Sequence, residues 1–143
     1  MSREPRKVTL DDIVRWFETL TPRSVADVEC FYAADAYFKD PFNEVRGSVA
    51  VGRVFAHMFE QVGSPRFVVT ERWQHEGGAV LLWDFKFVQG GAERTVRGAS
   101  HLRFAPDGRI AFHRDYWDVA EELYEKVPLL GGVLRAIKSR LRA

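Results

Sequence analysis

The sequence predicts an α+β domain in which three N-terminal helices pack on one face of a curved antiparallel sheet. Three observations carry this. Apolar residues recur at helical spacing as far as Val62, and beyond it the period changes to two. Gly-rich turns then divide the second half into four strands at hairpin distances. The 143 residues show no repeat, low-complexity tract or linker, so they read as one domain able to bury its own core.

Thr9 precedes a helix whose Ile13, Trp16, Phe17 and Leu20 follow the i, i+3, i+4, i+7 rule, and Thr21-Pro22 ends it. Ser24 restarts a short second helix with Asp27 in the capping-box position, carrying Val28, Phe31 and Tyr32. A short apolar strand leads into Asp40, where Pro41 removes a backbone donor and blocks regular continuation. Ser48 opens the third helix, with Val51, Val54, Phe55, Met58, Phe59 and Val62 on its face. Gly63-Ser64-Pro65 closes it.

The strands run from Arg66 to His75, Ala79 to Val88, about Ala92 to Phe104, and Arg109 to Trp117. The turns between them are Glu76-Gly77-Gly78, Gly90-Gly91 and Ala105-Pro106-Asp107-Gly108. In the tail, Asp118 caps a helix through Lys126, and Pro128 breaks or restarts it. Leu130, Val133, Leu134, Ile137 and Leu141 form one stripe, mostly opposite Arg135, Lys138, Arg140 and Arg142. The chain thus divides into a flexible arm (1–8), the domain (9–118) and a helical extension (119–143), which is expected to dock on the domain.

Side chains alternate across a sheet. On the first meander strand Phe67, Val69 and Trp73 share a face; on the next, Trp83, Phe85 and Phe87 do. Gly98, Ser100, Leu102 and Phe104 oppose Arg97, His101 and Arg103. On the last strand Trp117 should turn inward, taking Asp115 and His113 with it. An inward Asp and His need partners: each other, Ser100, or a wet pocket. The alternative buries Tyr116 and with it Arg114, a poorer solution. His57, His75 and His101 fall on outer faces or ends and receive no role.

Asp40 lies between Phe38 and Pro41-Phe42. Desolvation beside aromatic surface favours the protonated form of a carboxyl, which makes Asp40 a candidate proton acceptor. The plainer reading is an Asx turn opening the Asp-Pro corner.

Composition narrows the classes. Lys and Arg total 21 against 20 Asp and Glu, so no general field favours nucleic acid. A single cysteine, Cys30, excludes an internal disulfide framework and a Cys-based zinc site, and no other metal set stands out. No cofactor is expected. The N-terminus lacks the apolar core of a signal peptide and no run approaches membrane-spanning length, so a cytoplasmic location is expected. The 11 Phe, 4 Tyr and 4 Trp are enough for a core and also for a greasy pocket.

These residues resemble the superfamily that groups nuclear transport factor 2, ketosteroid isomerase and SnoaL-like polyketide cyclases. The likeness spans roughly residues 9 to 118. It rests on Phe31-Tyr32-Ala33-Ala34-Asp35-Ala36, on Asp40-Pro41-Phe42 followed by Gly47, and on Arg103 to Ile110 running to Tyr116-Trp117. The resemblance implies a cone of three helices wrapped by a curved sheet, often dimeric, with a deep pocket for a small apolar molecule. Ketosteroid isomerase uses an Asp base with a Tyr and a protonated Asp as oxyanion hole. Carried over, its base falls on Asp40, its oxyanion Tyr on Trp16 and its protonated Asp on Ser100. Its two supporting tyrosines fall on Tyr32 and Phe55. The cyclases use an inward Asp or His from the late strands, the region of His113 and Asp115. Epoxide hydrolase-like members need an Asp-Arg-Asp set, but Arg97 and Arg103 are expected to point outward.

The resulting expectation is a cofactor-independent isomerase, cyclase or lyase acting on an apolar carbonyl compound. Asp40 abstracts the proton, Asp115 with His113 returns or relays it, and Ser100 or Trp16 stabilises the enolate oxygen. Trp83, Phe85, Phe55, Phe59 and Trp117 shape the pocket, with Tyr32 as support. Two alternatives use the same fold: a non-catalytic ligand-binding or protein-pairing module, and a protein brought to an anionic membrane surface by its basic tail helix.

Overall fold

The computed structural model describes residues 6–122 and 128–142, with side chains described outside 128–130. Helix α1 (Leu10–Glu18) starts on a reciprocal cap. The Asp12 N–H donates to Thr9 Oγ1 at 3.2 Å and the Thr9 N–H to Asp12 Oδ2 at 3.0 Å. The second helix departs from expectation. Its reciprocal cap falls on Thr21 and Ser24, which exchange N–H-to-hydroxyl bonds, and Asp27 makes no side-chain cap. Ser24–Asp27 is therefore a 3-10 turn, and α2 covers only Val28–Phe31. Helix α3 (Ser48–Gln61) buries Val51 and Phe55.

Six strands form one curved, unclosed sheet beside these helices. They are β1 (Tyr32–Lys39), β2 (Glu44–Arg46), β3 (Gly63–His75), β4 (Gly78–Gln89), β5 (Ala92–Phe104) and β6 (Ile110–Tyr116). Their order is β2-β1-β6-β5-β4-β3. The last four are the antiparallel meander expected from sequence. The strand before Asp40 breaks that pattern, because β1 lies parallel to β6. Parallel neighbours need a long crossover, and α3 with β3 to β5 supplies it. This pairing sets Phe38 beside His113.

Register shifts decide which side chains face the helices. In β3 the pairing slips between Val69 and Glu71, so Trp73 leaves the face of Phe67 and Val69 and is 53% exposed. Arg72 instead reaches α1 and pairs with Asp11 at 2.6 Å. On β4 and β5 the inward set is as expected, with Trp83, Phe87, Ser100 and Leu102 buried. A Cβ at Gly98 would overlap the Trp83 ring. On β6 His113 is buried and Tyr116 exposed.

The ends also depart from expectation. The Val8 N–H donates to the Asp107 carbonyl at 3.0 Å, so residue 8 is tied to the β5–β6 turn rather than free. Helix α4 (Val119–Glu122) is capped by Asp118, whose Oδ1 accepts from the Glu121 N–H at 3.0 Å. Glu122 is buried and pairs with Arg97 Nε at 3.0 Å. Helix α5 spans Pro128–Leu141, and Val133, Ile137 and Leu141 in its stripe are exposed rather than docked. The expected helix through Lys126 and the Leu130 side chain lie outside the described residues. Among the described residues no helix is long and apolar enough to cross a membrane.

Two outcomes follow from this packing. Gly98→Ala forces Trp83 to move and lowers unfolding free energy by about 1–3 kcal/mol, read from urea denaturation. Burial, and secondarily the Asp115 charge, raises the Tyr32 phenol well above its ordinary value of 10.0. Below about pH 10 both folded and unfolded states keep this proton, and above it only the unfolded state releases it. Stability therefore falls as pH rises past about 10. Tyr32→Phe is less stable at pH 7 but falls less steeply in alkali, measured by denaturation between pH 7 and 11.

Candidate active site

A chain of hydrogen bonds crosses the sheet beneath α1 and α3 and ends on Asp115. Its directions follow from chemistry alone. An indole N–H only donates, so Trp83 Nε1 donates to Ser100 Oγ at 2.8 Å. The Ser100 hydroxyl proton then goes to Asp115 Oδ1 at 2.5 Å. An ionised carboxylate only accepts, so His113 donates through Nε2 to the same oxygen at 2.5 Å. In the neutral imidazole this leaves Nδ1 as acceptor for the Tyr32 hydroxyl at 2.7 Å. The raised phenol pKa keeps Tyr32 a donor.

The fold supplies each partner. Ser100 and Asp115 are directly paired across β5 and β6, and the parallel β1 lays Phe38 edge-on to the His113 ring at 4.8 Å. The Tyr32 ring lies parallel to that imidazole at 6.0 Å. The His113 side chain is 4% exposed and that of Asp115 is 15% exposed. Among the described residues no donor reaches Asp115 Oδ2. One oxygen is locked and the other is left to the surroundings.

Asp115 borders a cavity of 260 Å³ between the C-terminal half of α3 and the sheet. Asp40 and Asp115 both line it, as do Phe55, Trp83, Phe85 and Trp117. Ser100 and His113 line an adjoining crevice of only 20 Å³, which Asp115 also borders. On the outer side, a groove with Lys39, Arg114 and Tyr116 again reaches Asp40 and Asp115.

Other residues singled out from sequence lie elsewhere. Trp16 stacks on Phe31 at 4.8 Å, donates its indole N–H to the Ser24 carbonyl at 3.0 Å, and does not line the cavity. Tyr32 is fully buried behind His113, and Phe59 packs at the margin of the core. Asp40 is tied into its turn. Its Oδ1 accepts from the Phe42 N–H at 2.8 Å and the Asn43 N–H at 2.6 Å, and Asn43 Nδ2 donates to both oxygens at 3.1 Å. The Asx geometry thus coexists with a place on the cavity wall.

Sequence reasoning missed His57 and Gln61, which line the cavity from α3. They lie four residues apart beside the apolar stripe, a spacing that puts them on one flank of the helix. Arg97 and Arg103 are absent from the lining, so among the described residues no Asp-Arg-Asp set forms there. Among the described residues no group of three His, Cys, Asp or Glu gathers as a metal set.

The chain shares its fold with proteins of known structure. It resembles a ketosteroid isomerase-like-fold protein from Catenulispora acidiphila, solved in complex with trimethylamine (TM-score 0.68, 15% identity, 81% of this chain and 92% of that one). It also resembles a putative SnoaL-like polyketide cyclase from Jannaschia (0.66, 14%, 85% and 93%). An LEH-like epoxide hydrolase from M. tuberculosis aligns with TM-score 0.66 at 17% identity over 89% and 92% of the two chains. At such identities the likeness shows the fold. No curated protein matches in sequence. A family model described as a SnoaL-like domain matches residues 13–113, most of the chain from α1 to the buried histidine of β6. The protein therefore belongs to the SnoaL-like domain family, on the fold shared with nuclear transport factor 2.

Proposed function

We propose that the protein is a cofactor-independent proton-transfer enzyme of the isomerase, cyclase or lyase kind, acting on a small apolar carbonyl compound, with Asp115 as its base. One observation carries this reading: Asp115, on the wall of an aromatic cavity, has one oxygen fixed by Ser100 and His113 and the other without a donor among the described residues. A base needs that combination of fixed orientation and a free lone pair.

In this scheme Asp115 Oδ2 takes the proton α to the carbonyl, and the resulting carboxylic acid returns it to another carbon or to the enolate oxygen. Ser100 and His113 keep the carboxyl in one orientation through both transfers. Asp40, whose oxygens already accept four hydrogen bonds, gives up the role of base that its position suggested. Trp16 and Ser100 have committed their protons elsewhere, so the amides of Gln61 and Gln89 on the cavity lining serve the enolate oxygen. The volume of 260 Å³ lies below the roughly 300–1,000 Å³ of drug-sized pockets, which limits the substrate to one or two rings. Neighbours titled polyketide cyclase and epoxide hydrolase support catalytic use of this frame. The apolar lining equally supports the second reading, a binding module without chemistry.

Solvent-deuterium exchange and turnover over a panel of small cyclic ketones separate the two. Asp115→Asn is expected to lower kcat/KM by about 10²–10⁴-fold, while Asp40→Asn keeps most of kcat. If no ketone in the panel exchanges or turns over, while a small molecule co-purifies with the protein by mass spectrometry, the binding module stands instead.

A further inference from the structure

We infer that the molecule held in this cavity carries a protonated amine on its apolar body, with Asp40 as its counter-ion. The inference rests on the reading of the cavity as a ligand site and narrows the class of ligand.

The lining is electrically one-sided. Eight of its eighteen residues are Phe or Trp, and its only formally charged side chains at neutral pH are Asp40 and Asp115, with no Lys or Arg. Aromatic faces carry the negative end of a quadrupole and attract cations. Two carboxylates in a low-dielectric wall add to the same field. An anionic ligand would be repelled there, and a neutral one would gain nothing from the charge.

The nearby cations have partners outside the lining. Lys39 is paired with Glu44 at 3.0 Å, and the Arg114 guanidinium lies over the Tyr116 ring at 4.8 Å. His57, on the α3 side of the cavity, sits 3.7 Å from Glu60. Asp115 has His113 beside it, but among the described residues Asp40 makes no ion pair. A charge on a partly covered wall is best satisfied by an opposite one, and a ligand can supply it.

The two acids also differ in freedom. Asp40 is clamped through N–H groups of Phe42 and Asn43, so its oxygens are held in one place. Beside it Phe42 and Trp117 meet edge to face at 5.6 Å. A fixed carboxylate next to two aromatic rings is the chemistry that holds an ammonium group. Recognition thus falls to Asp40, and Asp115 keeps its free oxygen for the proton.

Trp83 and Trp117 line the cavity, so indole fluorescence reports its occupancy. The probes are benzyltrimethylammonium, its neutral carbon isostere neopentylbenzene, and phenylacetate. The cation is expected to bind at least tenfold more tightly than the isostere, and phenylacetate not to saturate. Asp40→Asn weakens the cation by about tenfold or more and leaves the isostere unchanged. Phe42 is 58% exposed, so Phe42→Ala spares the core and serves if Asp40→Asn does not fold. It weakens the cation by roughly 2- to 30-fold. Equal or tighter binding of neopentylbenzene overturns the amine assignment and leaves the ligand cavity standing. Cation affinity unchanged in both variants also overturns it. Saturable binding of none of the three probes overturns the ligand cavity as well.

Discussion

Everything specific about this molecule depends on one carboxylate oxygen that accepts two hydrogen bonds. A carboxylate that is mostly covered is costly unless its lone pairs are engaged. Ser100 and His113 engage Asp115 Oδ1 and each is backed by a further donor, Trp83 or Tyr32. That arrangement spans β4, β5, β6 and β1, so four strands must be in register before the charge is accommodated. The polar network thereby specifies the packing of an otherwise apolar interior. Its members stabilise one another, and loss of any one leaves a covered polar group unmet.

Fold and chemistry are separable in this frame. The helices and the meander recur in proteins of 14–17% identity with differently titled activities. What distinguishes this chain is where its donors are spent. Trp16 closes the turn after α1, and Ser100 serves Asp115, so neither is left for an oxyanion. The network ends on the late strand, at Asp115, while Asp40 is held within its own turn.

Much of the architecture was legible because its signals are local. The helix stripes, the change of period after Val62 and the glycine turns are written in neighbouring residues, and they place β3 to β6 in order. The inward set of β6 was legible as well, since burying Trp117 drags His113 and Asp115 with it by parity. Trp73 was misplaced because a single inserted residue inverts parity, and a bulge leaves little mark in composition. The parallel pairing of β1 with β6 could not be read, being a contact between segments some seventy residues apart. Asp40 was legible as an Asx turn at the Asp-Pro corner, but the added grip of the Asn43 side-chain amide was not.

The union of β1 with β6 has a temporal consequence. Tyr32 and His113 are separated by 81 residues, and closing so long a loop is slow compared with zipping adjacent hairpins. On a ribosome the first helices and β1 emerge with no partner for Tyr32, and the imidazole arrives only with the final strand. The interior charge is therefore assembled last, and any nascent chain halted before that strand lacks both His113 and Asp115.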